Sequence, residues 1–466
     1  MTSSSTDIKY YAEYHSKINS ISLLVQVPAQ GVTCIIGPQA VDLVPSVSFS
    51  KDQLDGSTKT SSGTGQRFAL PARVMPTRTT LDPSSSQSSL LTVKLTALPS
   101  APSTGVSFSS FTSSSGSEFP QAPLPAAQLQ GLENLSCGCC GNILLKPDSA
   151  SSSDQGQPIQ RVVDLPSEHW QELVDCWMCH EEDFTELREG DLGARLGQAL
   201  VGGTYVLIHA ANVDSSTVAI EEDARSIDWT RGIKRRWRPL ACSRCLYPVG
   251  EGWYQSRLED GTDLELIQVK FHKYSIQFKG QQKDSNTLLS IPRQRFASYV
   301  AAEIFESARH HATYRFILQD RLEGHDMILL WMLNWDSSIV TNQQPAQDDE
   351  IAWDNSLRTD LSNALSSTNN TQGATGRKVM KVLYLKAQSD EQELAEKQSG
   401  SYSKETTLWD QWRGDPGVER MQFHKHLLLG LLTMLEQSSS RLPPTLNDAA
   451  STVLAMDALQ VGSIEI

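Results

Sequence analysis

Apolar and polar residues alternate along several short stretches of the first hundred residues, the period of a half-buried strand. Ile21 to Val27 (ISLLVQV), Val32 to Ile36 (VTCII), Phe68 to Val74 and Leu90 to Leu98 (LLTVKLTAL) carry this pattern. Gln30-Gly31 reads as the turn joining the first two. Ser/Thr/Gly tracts occupy 56–66 and 79–89, and a Ser/Pro tract at 99–118 holds too little apolar surface to order itself. Residues 1–130 are therefore expected to form a β-rich N-terminal domain with disordered Ser/Pro insertions.

Further along, Tyr205 to His209 reads as a strand behind a Gly202-Gly203 turn, and beyond residue 250 the pattern becomes mixed. Leu264 to Phe278 has a strand period. Arg295 to His310 has the helical one, with Phe296, Val300, Ile304 and Phe305 on one side. Tyr314 to Gln319 and Met327 to Asn334 read as a hairpin through Glu323-Gly324, and Val379 to Leu385 as another strand. Met421 to Glu436 is apolar nearly all round, which predicts a central buried helix. The polar stretches 341–375 and 388–405 are expected to be disordered. The expected class is α+β: the β-rich 1–130, a zinc-stapled cysteine module over 131–250, and an α+β domain over 251–466.

At 466 residues the chain is long enough for two or three cores. A formal net charge of −14 argues against a general binder of nucleic acid or anionic membrane. No apolar h-region opens the chain and no run of apolar residues is long enough to span a bilayer. A reducing cytoplasmic or nuclear setting is the expectation, and there paired cysteines are metal ligands more often than disulfides.

The cysteines carry the candidate chemistry. Seven of the eight fall between 137 and 245, as Cys137-Gly138-Cys139-Cys140, Cys176-Trp177-Met178-Cys179 with His180, and Cys242-Ser243-Arg244-Cys245. A Cys-x-x-Cys turn presents two sulfurs at the separation zinc needs, and two such turns close a tetrahedron. The simplest closed site is Cys137, Cys140, Cys242 and Cys245, with zinc in a structural role. The competing reading is buried thiols packed as small hydrophobes; with zinc present, a metal that only folds the module is favoured over a catalytic one. Cys139, between two candidate ligands, is either a nucleophilic thiol activated by nearby N–H groups or a surface filler. The middle motif also fits the pattern for covalent haem attachment, but nothing directs export. Ser167 is expected to cap a short amphipathic helix bearing Trp170, Leu173, Val174 and Trp177 and ending near Cys179-His180. The reading that one of these lends a metal ligand stands beside one in which Trp170 and Trp177 anchor the core and His180 caps the surface. Arg231, Lys234, Arg235, Arg236 and Arg238 form the clearest basic patch. It reads as a docking site for an acidic partner or an import signal, against a solvated strand edge; direct nucleic-acid binding is not expected. No phosphate-binding glycine loop, serine-nucleophile elbow or His-Glu-x-x-His zinc motif is present.

Four segments in order bear a family likeness: Leu135-Ser136-Cys137-Gly138-Cys139-Cys140-Gly141; Leu165-Pro166-Ser167 through Trp170 to Trp177-Met178-Cys179-His180; Cys242-Ser243-Arg244-Cys245 with Gly250; and Ile328 through Asn334 (ILLWMLN). Over about 130–466 the set resembles the HECT-like ubiquitin-conjugating-enzyme-binding family, proteins described as ubiquitin-protein ligases. The resemblance implies binding of a charged ubiquitin-conjugating enzyme and transfer of ubiquitin to a substrate or to the protein itself. It carries over Cys137, Cys140, Cys179, Cys242 and Cys245 with His180, leaves Cys176 outside the pattern, and seeks conjugating-enzyme binding from Cys245 onward. It also implies an alternative role, as a regulatory partner of the pre-mRNA cleavage and polyadenylation endonuclease contacted by the first cysteine motif. Residues 246–466 contain no cysteine, so no HECT-type thioester can form there. Either the thiol lies in the 137–245 cluster or a charged enzyme is only positioned for transfer.

Overall fold

The computed structural model describes residues 10–26, 32–45, 66–81, 90–98, 123–146, 158–165, 193–222, 237–256, 264–280, 291, 295–341, 377–387, 407–442 and 459–465. The strands begin with β1 (Tyr10–His15), β2 (Ser20–Gln26), β3 (Val32–Ile36), β4 (Ala40–Pro45), β5 (Gln66–Ala69), β6 (Thr77–Leu81) and β7 (Leu90–Thr96). Then come β8 (Leu132–Cys137), β9 (Arg161–Asp164), β10 (Gln198–Val201), β11 (Tyr205–His209), β12 (Val218–Ile220), β13 (Trp237–Cys242), β14 (Pro248–Ser256), β15 (Leu264–His272) and β16 (Ile276–Gly280). The last are α1 (Phe296–His311), β17 (Arg315–Asp320), β18 (Asp326–Thr341), β19 (Arg377–Lys386), α2 (Leu408–Gly414), β20 (Glu419–Phe423), α3 (Lys425–Ser440) and β21 (Gln460–Glu465). The architecture is α+β and dominated by sheet.

An eight-stranded sheet runs β20-β17-β18-β1-β2-β7, with β19 pairing both β18 and β21. On one face, Val300, Ile304 and Phe305 of α1 and Leu428, Leu431 and Leu435 of α3 pack against Phe316, Leu330 and Val382. The β1-β2-β7 end packs on a four-stranded sheet, β5-β4-β3-β6, where Val32, Cys34 and Ile36 point inward and Ile35 outward. A seven-stranded sheet, β12-β13-β14-β15-β11-β10-β9, shares a separate core with the β16-β8 pair. Among the described residues no helix is long and apolar enough to cross a membrane.

Period predicts strands well here and partners poorly. β2 and β3 lie where alternation places them, yet in different sheets, so no hairpin joins them across Gln30-Gly31. Part of each Ser/Thr tract is strand, at Gln66 in β5 and Thr79–Leu81 in β6. The segment 99–118, the stretch 388–405 and 341–375 beyond Thr341 lie outside the described residues. The expected strand at 264–278 bends through a 3-10 turn at Lys273–Ser275, which moves the chain from the seven-stranded sheet to the β8 pair. Met421–Phe423 belong to β20, parallel to β17, and the helix starts only after His424, whose Nδ1 accepts the His426 N–H. That helix is not buried all round: Leu429 is 43% exposed, because α3 lies on a sheet face rather than inside a bundle. Backbone hydrogen bonds also cross the sequence ranges named above, since β1 pairs with β18 from Tyr11 opposite Thr341 to His15 opposite Ser337.

Two buried polar clusters lock these pairings. Glu13, 2% exposed, accepts from Tyr11 Oη at 3.0 Å, Ser337 Oγ at 3.0 Å and Lys381 Nζ at 2.7 Å. Burial opposes its ionisation, but Lys381, with help from His15 and Ser337, outweighs burial and holds the carboxyl below its ordinary range. The cluster links β1, β18 and β19 across more than 300 residues of chain, at the irregular stretch Asn334–Ser337 of β18. The second cluster joins the seven-stranded sheet to the helical face. His272 Nδ1 lies 2.6 Å from Tyr274 Oη, and its Nε2 lies 3.4 Å from Arg321 Nη1, which in turn faces Glu251 at 3.5 Å. A guanidinium only donates, so Nε2 must be the unprotonated acceptor. Burial, then the charges of Arg321, Lys270 and His424, hold the imidazole neutral, well below its usual pKa.

Two outcomes follow for stability. Lys381→Met strands the Glu13 carboxylate and costs about 3 kcal/mol or more in urea unfolding, whereas adding Glu13→Gln to it recovers much of the loss. The folded-state pKa of His272 is depressed, so its contribution is complete above the unfolded value of about 6.5 and is lost as pH falls from there towards the folded value. The urea midpoint of the wild type should therefore drop between about pH 7.5 and about pH 5.5, and His272→Gln should flatten that slope.

Candidate functional site

β8 and β13 each end on a cysteine, Cys137 and Cys242, and each runs into a turn of the same shape. In the first, Cys137 N–H donates to Asn142 O at 2.8 Å and Gly141 N–H to Cys137 O at 2.9 Å. In the second, Cys242 N–H donates to Tyr247 O at 2.9 Å and Leu246 N–H to Cys242 O at 2.8 Å. The residue after the second cysteine is left-handed in both, Gly141 at φ 68° and Leu246 at φ 60°. The first turn is anchored by Gly138 N–H on Ser275 O at 2.9 Å, and a Cβ on Gly138 would meet that oxygen at 2.8 Å. The second is anchored by Ser243 N–H on Thr217 O at 2.9 Å and Ser243 Oγ on Ser216 O at 2.8 Å.

The two turns face each other, and the sulfurs of Cys137, Cys140, Cys242 and Cys245 lie within 4.8 Å of one another. Cys137 and Cys245 Sγ are 3.6 Å apart, Cys140 and Cys242 Sγ 3.7 Å. A tetrahedron of metal–sulfur bonds of about 2.3 Å has edges of about 3.8 Å, close to both of these separations, so this donor set could hold a metal ion of zinc's preference. Burial pushes the thiols of Cys137, Cys140 and Cys245 up. Cys242 goes the other way: burial opposes its ionisation, but the N–H groups of Arg244 and Cys245, with the Asn142 side chain and Cys140, outweigh it. Cys242 is thus the easiest of the four to ionise, and a bound cation would favour the thiolate form of all four.

The sequence-derived candidates divide three ways. Cys137, Cys140, Cys242 and Cys245 come together. Cys139 stays outside the group, half-buried and packed against the neighbouring core. Arg238 is described as part of β13, its guanidinium 5.7 Å from the Tyr254 ring centroid, so it lies across the sheet rather than free in solvent. Cys176, Cys179 and His180, and Arg231, Lys234, Arg235 and Arg236, lie outside the described residues. Two contributors escape sequence reasoning: Asn142, whose Nδ2 is 3.6 Å from Cys242 Sγ, and Leu246, 66% exposed in its left-handed position. The second turn's correspondence to Cys137–Gly141 was the available signal for Leu246.

Comparison with known proteins fits this chain into a family. A family model described as HECT-like ubiquitin-conjugating enzyme (E2)-binding matches residues 13–452. Among curated proteins, an E3 ubiquitin-protein ligase of Mus musculus is 23% identical over 320 residues, covering 68% of this chain and 69% of the mouse protein. The ligase of the same name in Bos taurus is 24% identical over 325 residues (66% of this chain, 68% of the relative), and that in Homo sapiens 23% over 341 residues (71% and 74%). No solved structure matches. With the match running from Glu13 through both cysteine turns and the helical face, the chain belongs to the HECT-like ubiquitin-conjugating enzyme (E2)-binding family.

Proposed function

We propose that this protein is a ubiquitin-protein ligase-like factor that docks a ubiquitin-loaded conjugating enzyme and promotes transfer of the ubiquitin to an acceptor amine. The family match over residues 13–452 carries the reading. In the transfer, the acceptor nitrogen attacks the ubiquitin thioester, an amide forms, the conjugating enzyme's thiolate leaves, and the amine gives up a proton. The chemistry needs no cysteine of this chain. Residues 246–466 contain none, and four of the seven between 137 and 245 are committed to one cluster. The role left is to hold the charged enzyme and the acceptor in reach of each other, catalysis by proximity and orientation.

In this reading Cys137, Cys140, Cys242 and Cys245 hold zinc as a structural clamp. When bound, zinc supplies fixed tetrahedral coordination of four thiolates, which joins turns separated by about a hundred residues of chain. The clamp presents apolar tips. Leu246 occupies a backbone conformation that costs a branched side chain about 1 kcal/mol or more, and the side chain faces solvent. Ile143, beside the first turn, is 48% exposed. A strained, exposed leucine contributes nothing to the core, and at a site that must grip a partner it supplies an anchor. We therefore assign the clamp's Leu246 side as the docking surface for the conjugating enzyme.

Elemental analysis should find zinc at about one equivalent per chain, lost on serine substitution of Cys137, Cys140, Cys242 or Cys245 and kept in Cys139→Ser. A chain that retains full zinc after Cys242→Ser would reject the clamp. Leu246→Gly relieves the backbone strain, so its stability should equal or exceed the wild type's. Its rate of discharging ubiquitin from a loaded conjugating enzyme, screened first across a panel with the wild type, should fall several-fold. Failure of the wild type to bind or discharge any member of the panel would remove the ligase reading, and unchanged discharge by Leu246→Gly would remove the docking surface.

A further inference from the structure

The cysteine sulfurs accept N–H groups from their own turns: Cys137 from Cys139 and Cys140, Cys140 from Asn142, Cys242 from Arg244 and Cys245, and Cys245 from Tyr247. Asn142 does something more. Its side-chain Nδ2 leaves the first turn and reaches Cys242 Sγ in the second, at 3.6 Å. Its carbonyl accepts the Cys137 N–H at 2.8 Å. One residue therefore engages three of the four cysteines, through its amide N–H, its carbonyl and its side chain. The orientation of the side-chain amide is set by chemistry. A thiolate only accepts, so Oδ1 in that place would oppose lone pairs, and Nδ2 is the end that fits.

We propose that Asn142 is the positioning residue that sets how firmly the four-cysteine site retains its metal. The inference rests on the metal reading of that site. Four thiolates around one divalent cation keep an excess of negative charge, and the N–H donors aimed at the sulfurs disperse it. The Asn142 donor differs from the backbone donors because it bridges the two turns. It holds Cys242 on the metal and ties β8 to β13 at the point where the clamp would open. Partners that hydrogen-bond to metal ligands change metal affinity by about 10- to 100-fold when removed.

The test uses the full chain loaded with zinc or with cobalt. Asn142→Leu keeps the volume and removes the donor; Asn142→Asp keeps the shape and presents only acceptors at neutral pH. Metal transfer to a chromophoric chelator should be about tenfold faster for Asn142→Leu and faster still for Asn142→Asp. The sulfur-to-cobalt charge-transfer band should move to lower energy in both, because the sulfur loses a stabilising hydrogen bond. A role in turn packing alone would leave that band in place in Asn142→Asp, which also serves as the readout should Asn142→Leu fail to fold. Wild-type retention and an unmoved band in Asn142→Asp would overturn the inference. A wild-type chain that binds neither metal would instead defeat the metal reading itself.

Discussion

The closing of two cysteine turns on each other is the constraint around which the middle of this protein is arranged. Neither turn can hold a metal alone, and the sequence between them is long, so strand pairing must deliver both. β13 lies in the seven-stranded sheet between β12 and β14, and β14 in turn pairs with β15. β15 bends at Lys273–Ser275 into β16, and β16 carries β8, whose last residue is Cys137 opposite Ile276. One bend thus converts neighbouring strands into two facing layers with the cysteines at their ends. Gly138 is required where the first turn presses on Ser275, since any side chain would collide with the backbone of the bend. The cluster and the bend therefore depend on each other: the bend places the sulfurs, and a bound cation would hold the bend closed.

The same bend also links the cluster to the rest of the fold. Tyr274, one residue before the Ser275 anchor, packs edge-on against Phe296 and Tyr299 of α1, with ring centroids 4.9 and 5.8 Å away. Its hydroxyl meets His272, and His272 meets Arg321 at the end of β17. A short path of packed rings and hydrogen bonds thus runs from the first cysteine turn to the helices on the eight-stranded sheet. At the far side of that sheet the Glu13 cluster fastens β1 to β18 and β19. Buried polar groups are costly when incomplete, so these clusters discriminate between registers more than they add net stability. A one-residue slip of β1 would turn Glu13 to the other face of the sheet and leave Lys381 unpaired.

The sequence was legible wherever a local period or a short motif carried the information. Val32, Cys34 and Ile36 alternate because one face is buried; α1 shows its stripe because it lies on a sheet; the Glu323-Gly324 turn declares the β17–β18 hairpin through a left-handed glycine at φ 72°. The pairing of Cys137 and Cys140 with Cys242 and Cys245 was legible because Cys-x-x-Cys spacing is set by one turn's geometry. What stayed hidden depends on pairing at long range. Nothing near Tyr10–His15 reveals a partner at 337–341, and nothing near Met421 reveals that a parallel strand on β17 interrupts what reads as a continuous apolar helix. Asn142 was invisible for a similar reason: its role lies in a contact made about a hundred residues away.

The correspondence between the two turns sharpens what separates structure from function at the clamp. The left-handed position needs a residue that tolerates positive φ, and the first turn has glycine there. The second has leucine, two-thirds exposed, at the same place in the same hydrogen-bond pattern. Folding alone would favour glycine in both, because the strain falls away and no core contact is lost. The departure from the local rule therefore marks the side of the clamp on which something other than folding acts. In a chain of an E2-binding family whose residues beyond 245 offer no thiol, the proposed transfer by positioning would depend on how firmly the charged enzyme is held, and an apolar tip already fixed by its turn would lose little entropy when gripped.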